Sequence, residues 1–551
     1  MGRTDERLVL PQGDGPGRRQ FLGGMAATGA VMSAGGLLAA CGGSAGTAGT
    51  AGSATPSATP TGHRKGGALR VGLTGSSGAD TLDPHQGLTY LDTARAQSLY
   101  SPLAQLSTQA QTEFVLAEDN GINPHRSTKE WIIKLRPGIT FHDGRPLTAD
   151  DVIFTFRRIK GGNKGAGFAG ASSLGPMDLA GLKALDPHTV LVPFTQHYGS
   201  FLDQLGFWYY LYIVPVGFDP KKPNGTGPFK YQSFTQNVRS VFVRNENYFK
   251  PGLPYFDSVT VIDFSDSTAL QNALVTNVID AAGGLEGPQI AALSSTSSVK
   301  TVASKTGAIT PFTMRVDQAP FNDFRVRQAM RLIVDRQQLI DSALDGFASL
   351  AADVFSPFDP SSAHFTRQAD IPQAKSLLAK AGHSSLTVTL TTSPVATGTV
   401  AMATVLAEQA KAAGVKINVS NVPPNTFFKP GKYLEWTFSQ DFYNYSPYLA
   451  QVAQSFLPKS PYNETHWCKP ASTTAERRYL SLDQQANTTL SSSTRKQIVQ
   501  EMQTLDFDQG GYIIPCFIDA LDAYSTKLTG YTAARVGQPL ADFSFEQWSF
   551  L

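Results

Sequence analysis

Three cysteines, nine histidines and 16% charged residues are a thin supply of reactive groups for 551 residues. The histidines are scattered, with no His-Glu-x-x-His and no paired spacing, which excludes a zinc hydrolase of that type. Lys and Arg number 46 against 44 Asp and Glu, a formal charge of +2 with no basic stripe. Nucleic acid is therefore not an expected partner. No long apolar run follows residue 40, and a membrane span needs roughly 20 predominantly apolar residues. The body reads as soluble. No internal repeat is present.

What is present begins with an address. Arg18-Arg19-Gln20-Phe21-Leu22 is a twin-arginine signature, followed by a mildly apolar stretch from Met25 to Ala40. That stretch ends in Leu38-Ala39-Ala40-Cys41, with Gly42-Gly43-Ser44 after it. A positive start, a short apolar centre and small residues at a cut site define a removable signal peptide. Small residues before a Cys form a lipobox, so residues 1–40 are expected to be removed and Cys41 acylated. More than one acyl chain gives stable attachment, which anchors the protein at the outer face of the cytoplasmic membrane. Residues 41–67 are mainly Gly, Ala, Ser, Thr and Pro, with His63-Arg64-Lys65 near the end and almost no large apolar side chain. They read as a flexible tether.

The body alternates strand and helix signals. Ala68 to Leu73 alternates as a strand, and a helix is expected through Thr93 to Leu99. Trp131 to Leu135 is a strand stopped by Pro137-Gly138. Thr148 precedes Val152, Phe156 and Ile159, a capped helix with one buried face. Strands are expected at Thr189–Val192, Val238–Arg244 and Val259–Ile262. Val326, Met330, Ile333, Leu339, Ile340 and Leu344 form the stripe of one helix stopped by Gly346. Pro372 opens a further helix that Gly382 ends. Leu386–Thr391, Met402–Ala413, the Gly414 cap and Val415–Val419 make a βαβ unit with parallel strands.

Several segments resemble the family-5 solute-binding proteins of dipeptide, oligopeptide and nickel ABC importers. The most specific runs from Trp131 through Arg136-Pro137-Gly138, Phe141-His142-Asp143-Gly144 and Thr148-Ala149-Asp150-Asp151-Val152. Gly225 to Phe229, Pro254 to Asp257 and Pro320 to Ala329 follow in family order. The resemblance implies a two-lobed α/β fold of the class II periplasmic-binding-protein type. The large lobe would be discontinuous, 68–312 and 517–551, with a smaller lobe, 313–516, inserted. A two-strand hinge is expected to cross near Ile309 to Val316 and return near Tyr512 to Ala520. It also implies a monomer without cofactor or enzymatic activity. Its role would be to deliver a peptide or small polar solute to an ABC permease and ATPase. A lipid-tethered sensor, or a nickel or haem binder, is the alternative. The signature block itself is expected to be scaffold, with Arg136 and Asp150 holding loops.

The resemblance also nominates a ligand site. Leu434 to Tyr445 is similar to the family stretch that lines the pocket. Asp441 would hold the ligand amine, Ser439 would contribute a polar contact, and Trp436, Phe438, Tyr443 and Tyr445 would form a wall. The same residues also fit a strand and turn whose aromatics are core. Gln86, Thr89 and Tyr90 would supply the opposite wall. Dipeptide-binding members carry an Arg after a segment like Ser393-Pro394-Val395, whereas this chain has Ala396-Thr397-Gly398. A strict dipeptide specificity is thereby weakened, because no bidentate cation stands there for the carboxylate.

Two further readings concern reactive groups. Ser297 to Lys300 and Lys305 to Gly307 mimic two motifs of serine penicillin-recognising enzymes. In those enzymes the motifs lie far apart, and here no Ser-Asp-Asn stands between them. Cys468 and Cys516 remain once Cys41 is acylated, and a bridge would close 49 residues, 468 to 516 inclusive. Such a loop is worth roughly 4 kcal/mol in the chain-entropy model. Two separately buried thiols are the other possibility.

Overall fold

The computed structural model describes residues 62–75, 80–87, 89–162, 168–206 and 208–551. The leader, Cys41 and the tether up to residue 61 lie outside the described residues. Ordered contacts begin slightly earlier than the alternation at Ala68 suggested. The His63 ring stacks on Tyr255 with centroids 4.5 Å apart, and Gly66 and Gly67 donate backbone hydrogen bonds to Tyr255 and Asp257.

Two sheets organise the chain. The larger has the order Phe229–Thr235, Arg239–Arg244, Ser258–Phe264, Ala68–Thr74, Ala281–Gly283, Cys516–Ser525, Val299–Ala308. Its centre is parallel, because Ala68–Thr74 runs with both Ser258–Phe264 and Ala281–Gly283. Leu69, Val71, Val259, Val261 and Ala281 are fully buried there, as the alternation requires of inward-facing positions. The smaller sheet has the order Val415–Asn421, Leu386–Thr392, Phe438–Gln440, Phe312–Met314, Tyr512–Ile513. Its first two strands are parallel and joined by the helix Thr399–Ala410. Gly414 closes that crossover at φ 75, a left-handed turn that a Cβ would disfavour. The βαβ expectation holds, with the helix starting three residues earlier than Met402.

A third layer, attached to the larger sheet, carries the signature block. Ala117–His125, Ser127–Leu135, Thr189–Pro193 and Lys183–Asp186 form an antiparallel sheet. The helix Ala149–Gly161 packs on it through buried Val152, Phe156 and Ile159. Its first turn is closed by Asp151, whose carboxylate accepts the Thr148 N–H at 2.9 Å and hydroxyl at 3.0 Å. Arg136 donates to the Val115 and Phe114 carbonyls. That places its guanidinium in scaffold.

The chain passes between the two main sheets twice. Val299–Ala308 leads through 309–311 into Phe312–Met314, and Tyr512–Ile513 leads through 514–515 into Cys516–Ser525. The crossings lie side by side, since Ala308 pairs with Ile518 and Phe312 with Ile513. One short strand departs from a clean insertion. Ala348–Leu350 lies within the stretch expected to be wholly second lobe, yet it pairs with Cys516–Ser525 of the larger sheet.

One expectation is corrected, and of the two readings left open for Cys468 and Cys516 the structure has the separate thiols. The stripe from Val326 to Leu344 is two helices, Phe324–Ile333 and Arg336–Ala343. Asp335 breaks the run because its carboxylate accepts the Gln338 N–H at 3.0 Å, making it a cap where a continuing helix would need an interior residue. The Cys468–Cys516 bridge does not form, and both thiols are free and buried. Cys468 packs with Trp467 and Tyr479 in one core cluster, and Cys516 with Phe312 and Met314 in another. Burial pushes both thiols up, Cys516 to about 12.

Candidate functional site

The cleft between the sheets holds a cavity of about 390 Å³. The larger lobe contributes the turn Gly284 to Pro288, the end of Val299–Ala308 and the start of Cys516–Ser525. The smaller contributes the Val395 to Gly398 loop, the Leu344-Asp345 turn and Phe442 to Asn444. A second chamber of about 80 Å³ shares Tyr90, Phe442, Tyr443 and Asn444 with the first. A third opening of about 410 Å³ shares Tyr90, Gly284, Glu286 and the Ala396 to Gly398 backbone. Tyr90 borders all three.

Local structure explains why Tyr90 stands there. It is the first residue of the helix Tyr90–Leu99, whose cap is reciprocal. The Thr89 hydroxyl accepts the Asp92 N–H at 3.0 Å, and the Asp92 carboxylate accepts the Thr89 N–H at 3.2 Å. One turn further on, the fully buried Arg95 guanidinium pairs with Asp80, Asp92 and Asp263 at 3.0 Å each. A buried cation with three carboxylate partners is costly to disturb, so the helix start is pinned to the larger sheet. Burial lifts the Tyr90 phenol to about 12, with the Asp522 charge adding to it. Of the expected first wall, Tyr90 therefore faces the cavity. Thr89 is spent on the cap, and the Gln86 amide donates to Asp83 at 2.6 Å.

The opposite wall divides similarly. Tyr443 lines both main chambers. Its backbone exchanges two hydrogen bonds of 2.9 Å with Ile309, so a cavity wall is tied directly to a strand crossing. Its hydroxyl donates to Glu464, which also accepts from Tyr512 at 2.7 Å. Asp441 stands just behind this wall, where one carboxylate oxygen accepts the Phe442 N–H at 2.8 Å and the other accepts the Tyr433 hydroxyl. Its position braces Phe442.

The remaining nominated residues are packing. Phe438 lies against Phe312 and Phe321 in the smaller lobe's core, and the Ser439 hydroxyl bonds Thr313 at 2.7 Å. Both belong to a fully buried strand between two others, which turns their expected wall role into a core role. Trp436 stacks near Phe427 and donates to its carbonyl at 3.2 Å. Tyr445 packs on Val536 and Phe358 beneath the hinge. A Cβ on Gly307 would come within 2.5 Å of the Tyr445 ring, so that glycine admits the ring. The aromatic run was visible in sequence, but strand direction decided which rings reach the cleft.

Several cavity residues escaped the sequence reading. Glu286 opens the helix Gly287–Leu293 through a capping box with Gln289. Asp345 sits at φ 51 in the turn after Arg336–Ala343. Gly287 leaves room for it, since a Cβ there would lie 2.3 Å from the Asp345 carboxylate. Asp519 lies at the strand crossing, where its Oδ2 accepts from Lys305 at 2.7 Å while its Oδ1 has no donor. Burial raises its carboxyl above the usual range, against the pull of Lys305. Tyr209, Tyr210 and Tyr462 line the second chamber. The run Trp208-Tyr209-Tyr210 was the one available signal. Lys300 and Lys305, the lysines of the two enzyme-like motifs, share the single strand Val299–Ala308. Among the described residues no group of three or more His, Cys, Asp or Glu is placed to hold a metal ion. Nor is any helix among them long and apolar enough to cross a membrane.

Across the cleft, the lobes touch at a second place. The Gly199 N–H donates to the Asn487 carbonyl at 2.9 Å, and the Ser200 hydroxyl to the Asn487 side chain at 2.9 Å. Gln454 donates to Ser172 at 3.1 Å.

Comparison with known proteins gives three findings. Residues 115–470 match the model of the bacterial extracellular solute-binding proteins, family 5, middle region. The glutathione-binding protein GsiB of Escherichia coli O6:K15:H31 (strain 536 / UPEC) is 28% identical over 326 residues, 57% of this chain and 62% of the relative. The chain thus spans less than two thirds of that relative's length. Among solved structures, the ABC transporter substrate-binding protein CtaP of Listeria monocytogenes aligns with TM-score 0.75 and 21% identity, over 88% of this chain and all of that one. The periplasmic binding protein DppA of Helicobacter pylori, solved with the peptide STSA, gives TM-score 0.73 and 19% identity over 88% and 98%. At these identities the structures show a shared two-lobed α/β fold.

Proposed function

The chain belongs to the family 5 bacterial extracellular solute-binding proteins, and on that premise we propose that it captures a peptide or similarly small polar solute by hinged lobe closure and delivers it to an ABC permease and ATPase. The observation that carries this reading is the position of the cavity. Its walls come from both sheets, and the two sheets are joined by a pair of adjacent crossings at 309–311 and 514–515. Rotation about two short, adjacent connections opens such a cleft without unfolding either sheet. Ligand drives closure only by binding the closed form better, and moving from 1:99 to 99:1 needs about 5.5 kcal/mol of that preference.

The relatives support the ligand class, since one is named for binding glutathione and another was solved with a tetrapeptide. Tyr443 supports the coupling, because one residue both lines the cavity and pairs with the crossing at Ile309. The sequence supports attachment through acylated Cys41, which would keep the cleft close to the permease. Small-angle scattering of the purified chain with and without a peptide library tests the reading. A smaller radius of gyration with library, and intact peptides recovered afterwards, is the expected result. An unchanged radius with no peptide retained would refute solute capture, and shortened peptides would point to hydrolysis.

A further inference from the structure

The charge of the cleft is one-sided. None of the described residues lining the three chambers is Lys, Arg or His, while Glu286, Asp345, Asp519 and Asp266 all line them. Lys305 reaches Asp519 from outside the lining and offsets one of the four. A free carboxylate entering this space would meet like charge at the buried Asp519 and at the exposed Glu286 and Asp345, with no cationic side chain among the described lining residues to pair it.

The second chamber adds an independent observation. Its lining includes Tyr90, Tyr209, Tyr210, Tyr443, Tyr462 and Phe442. Aromatic rings attract a cation through their quadrupole, and quaternary ammonium ligands are held by such cages. Gln538, at the same chamber, is 3% exposed and its side-chain oxygen has no donor. The Oδ1 of Asp519 at the main cavity is also buried without one. Both are acceptors, and buried acceptors are normally paired. A ligand bearing N–H groups would satisfy them, whereas a carboxylate could not.

We propose that the cleft selects cationic solutes lacking a free carboxylate, with an ammonium group in the tyrosine-lined chamber and further donors toward Glu286, Asp345 and Asp519. This rests on the reading of the cleft as a solute-capture site and narrows its ligand class. Peptides would then be taken as C-terminal amides. Glutathione, with two carboxylates and one ammonium, would be discriminated against.

Competitive equilibrium dialysis of the purified chain tests this. The probes are phenylalanyl-lysine amide, the same dipeptide as free acid, choline, and glutathione. The amide should be retained at least about tenfold more strongly than the free acid, as an unpaired buried charge implies, with choline retained and glutathione not. Tyr209→Leu should weaken choline by about 2- to 30-fold, the range of a cation–aromatic contact. Tyr209→Phe, which keeps the ring, should not. Equal or stronger retention of the free acid or glutathione overturns charge selection and leaves solute capture standing. Equal loss in both Tyr209 variants overturns the aromatic ammonium site. Retention of no probe, together with none from a mixed peptide library, removes capture itself and this inference with it.

Discussion

Gly199 offers the sharpest test of whether the lobes close. Its N–H bonds the Asn487 carbonyl at the end of the helix Thr474–Thr488, in the opposite lobe. A Cβ built on Gly199 would lie 2.6 Å from that carbonyl oxygen and 3.0 Å from Arg495 Nη2. The carbonyl is backbone, and Arg495 is itself held by the Ala486 and Thr489 carbonyls, so neither side yields cheaply. The three nearest atoms all belong to the second lobe, and in an opened molecule they would be gone. Gly199→Ala therefore penalises only the closed form. Overpacking of this kind costs about 1–3 kcal/mol, which divides the closure constant by about 5- to 150-fold. Where the unliganded chain is mostly open, solute affinity falls by the same factor. Calorimetric titration of one solute into both proteins measures this, alongside unfolding of each without solute. The expected result is weaker binding with an unchanged unfolding midpoint. Unchanged affinity would refute the argument. So would a midpoint lowered by the same free energy, because the contact would then be a permanent part of the fold.

Three other outcomes follow from named contacts. Asp506 is buried beside Tyr448 and Tyr479, and burial lifts its carboxyl to about 8. The native state then holds a proton that the unfolded chain releases near pH 4, so this contribution is full below about pH 4 and lost as pH rises through about 8. The melting midpoint should decline over that window, and Asp506→Asn should flatten the decline; an unchanged slope would contradict the assignment. Asp441→Ala removes the acceptor shared by the Tyr433 hydroxyl and the Phe442 N–H, leaving that hydroxyl its longer bond to Glu464 at 3.3 Å, at about 1–3 kcal/mol of stability. Peptides with free and acetylated amines should weaken together in that variant, whereas selective loss of the free-amine form would restore Asp441 as its partner. Because Cys468 and Cys516 are unbridged, adding a reductant should leave the melting midpoint where it was; a drop of several degrees would mean a disulfide had formed.

Much of the organisation was legible in sequence because it is written in short-range signals. Thr148 with Asp151, Gly414 after its helix, and the alternating apolar residues of Ala68–Thr74 act over a few residues each. The stripe that spans Asp335 shows the limit. Periodicity continued through a residue whose side chain prefers to cap, and the cap won because it satisfies a backbone N–H on the spot.

The sequence by itself determined most of the α/β elements, since these depend on local hydrogen bonding and hydrophobic period, whereas the expected places where the chain changes sheet came from the family resemblance. The tertiary structure alone decided which side chains meet. Trp436, Phe438 and Tyr445 sit within ten residues of Tyr443, yet only Tyr443 faces the cavity, because strand direction and the neighbours across the sheet set the outcome. Glu286, Asp345 and Asp519 are scattered over 234 residues of chain, 286 to 519 inclusive, and only the packing of two sheets about one cleft brings their charges together.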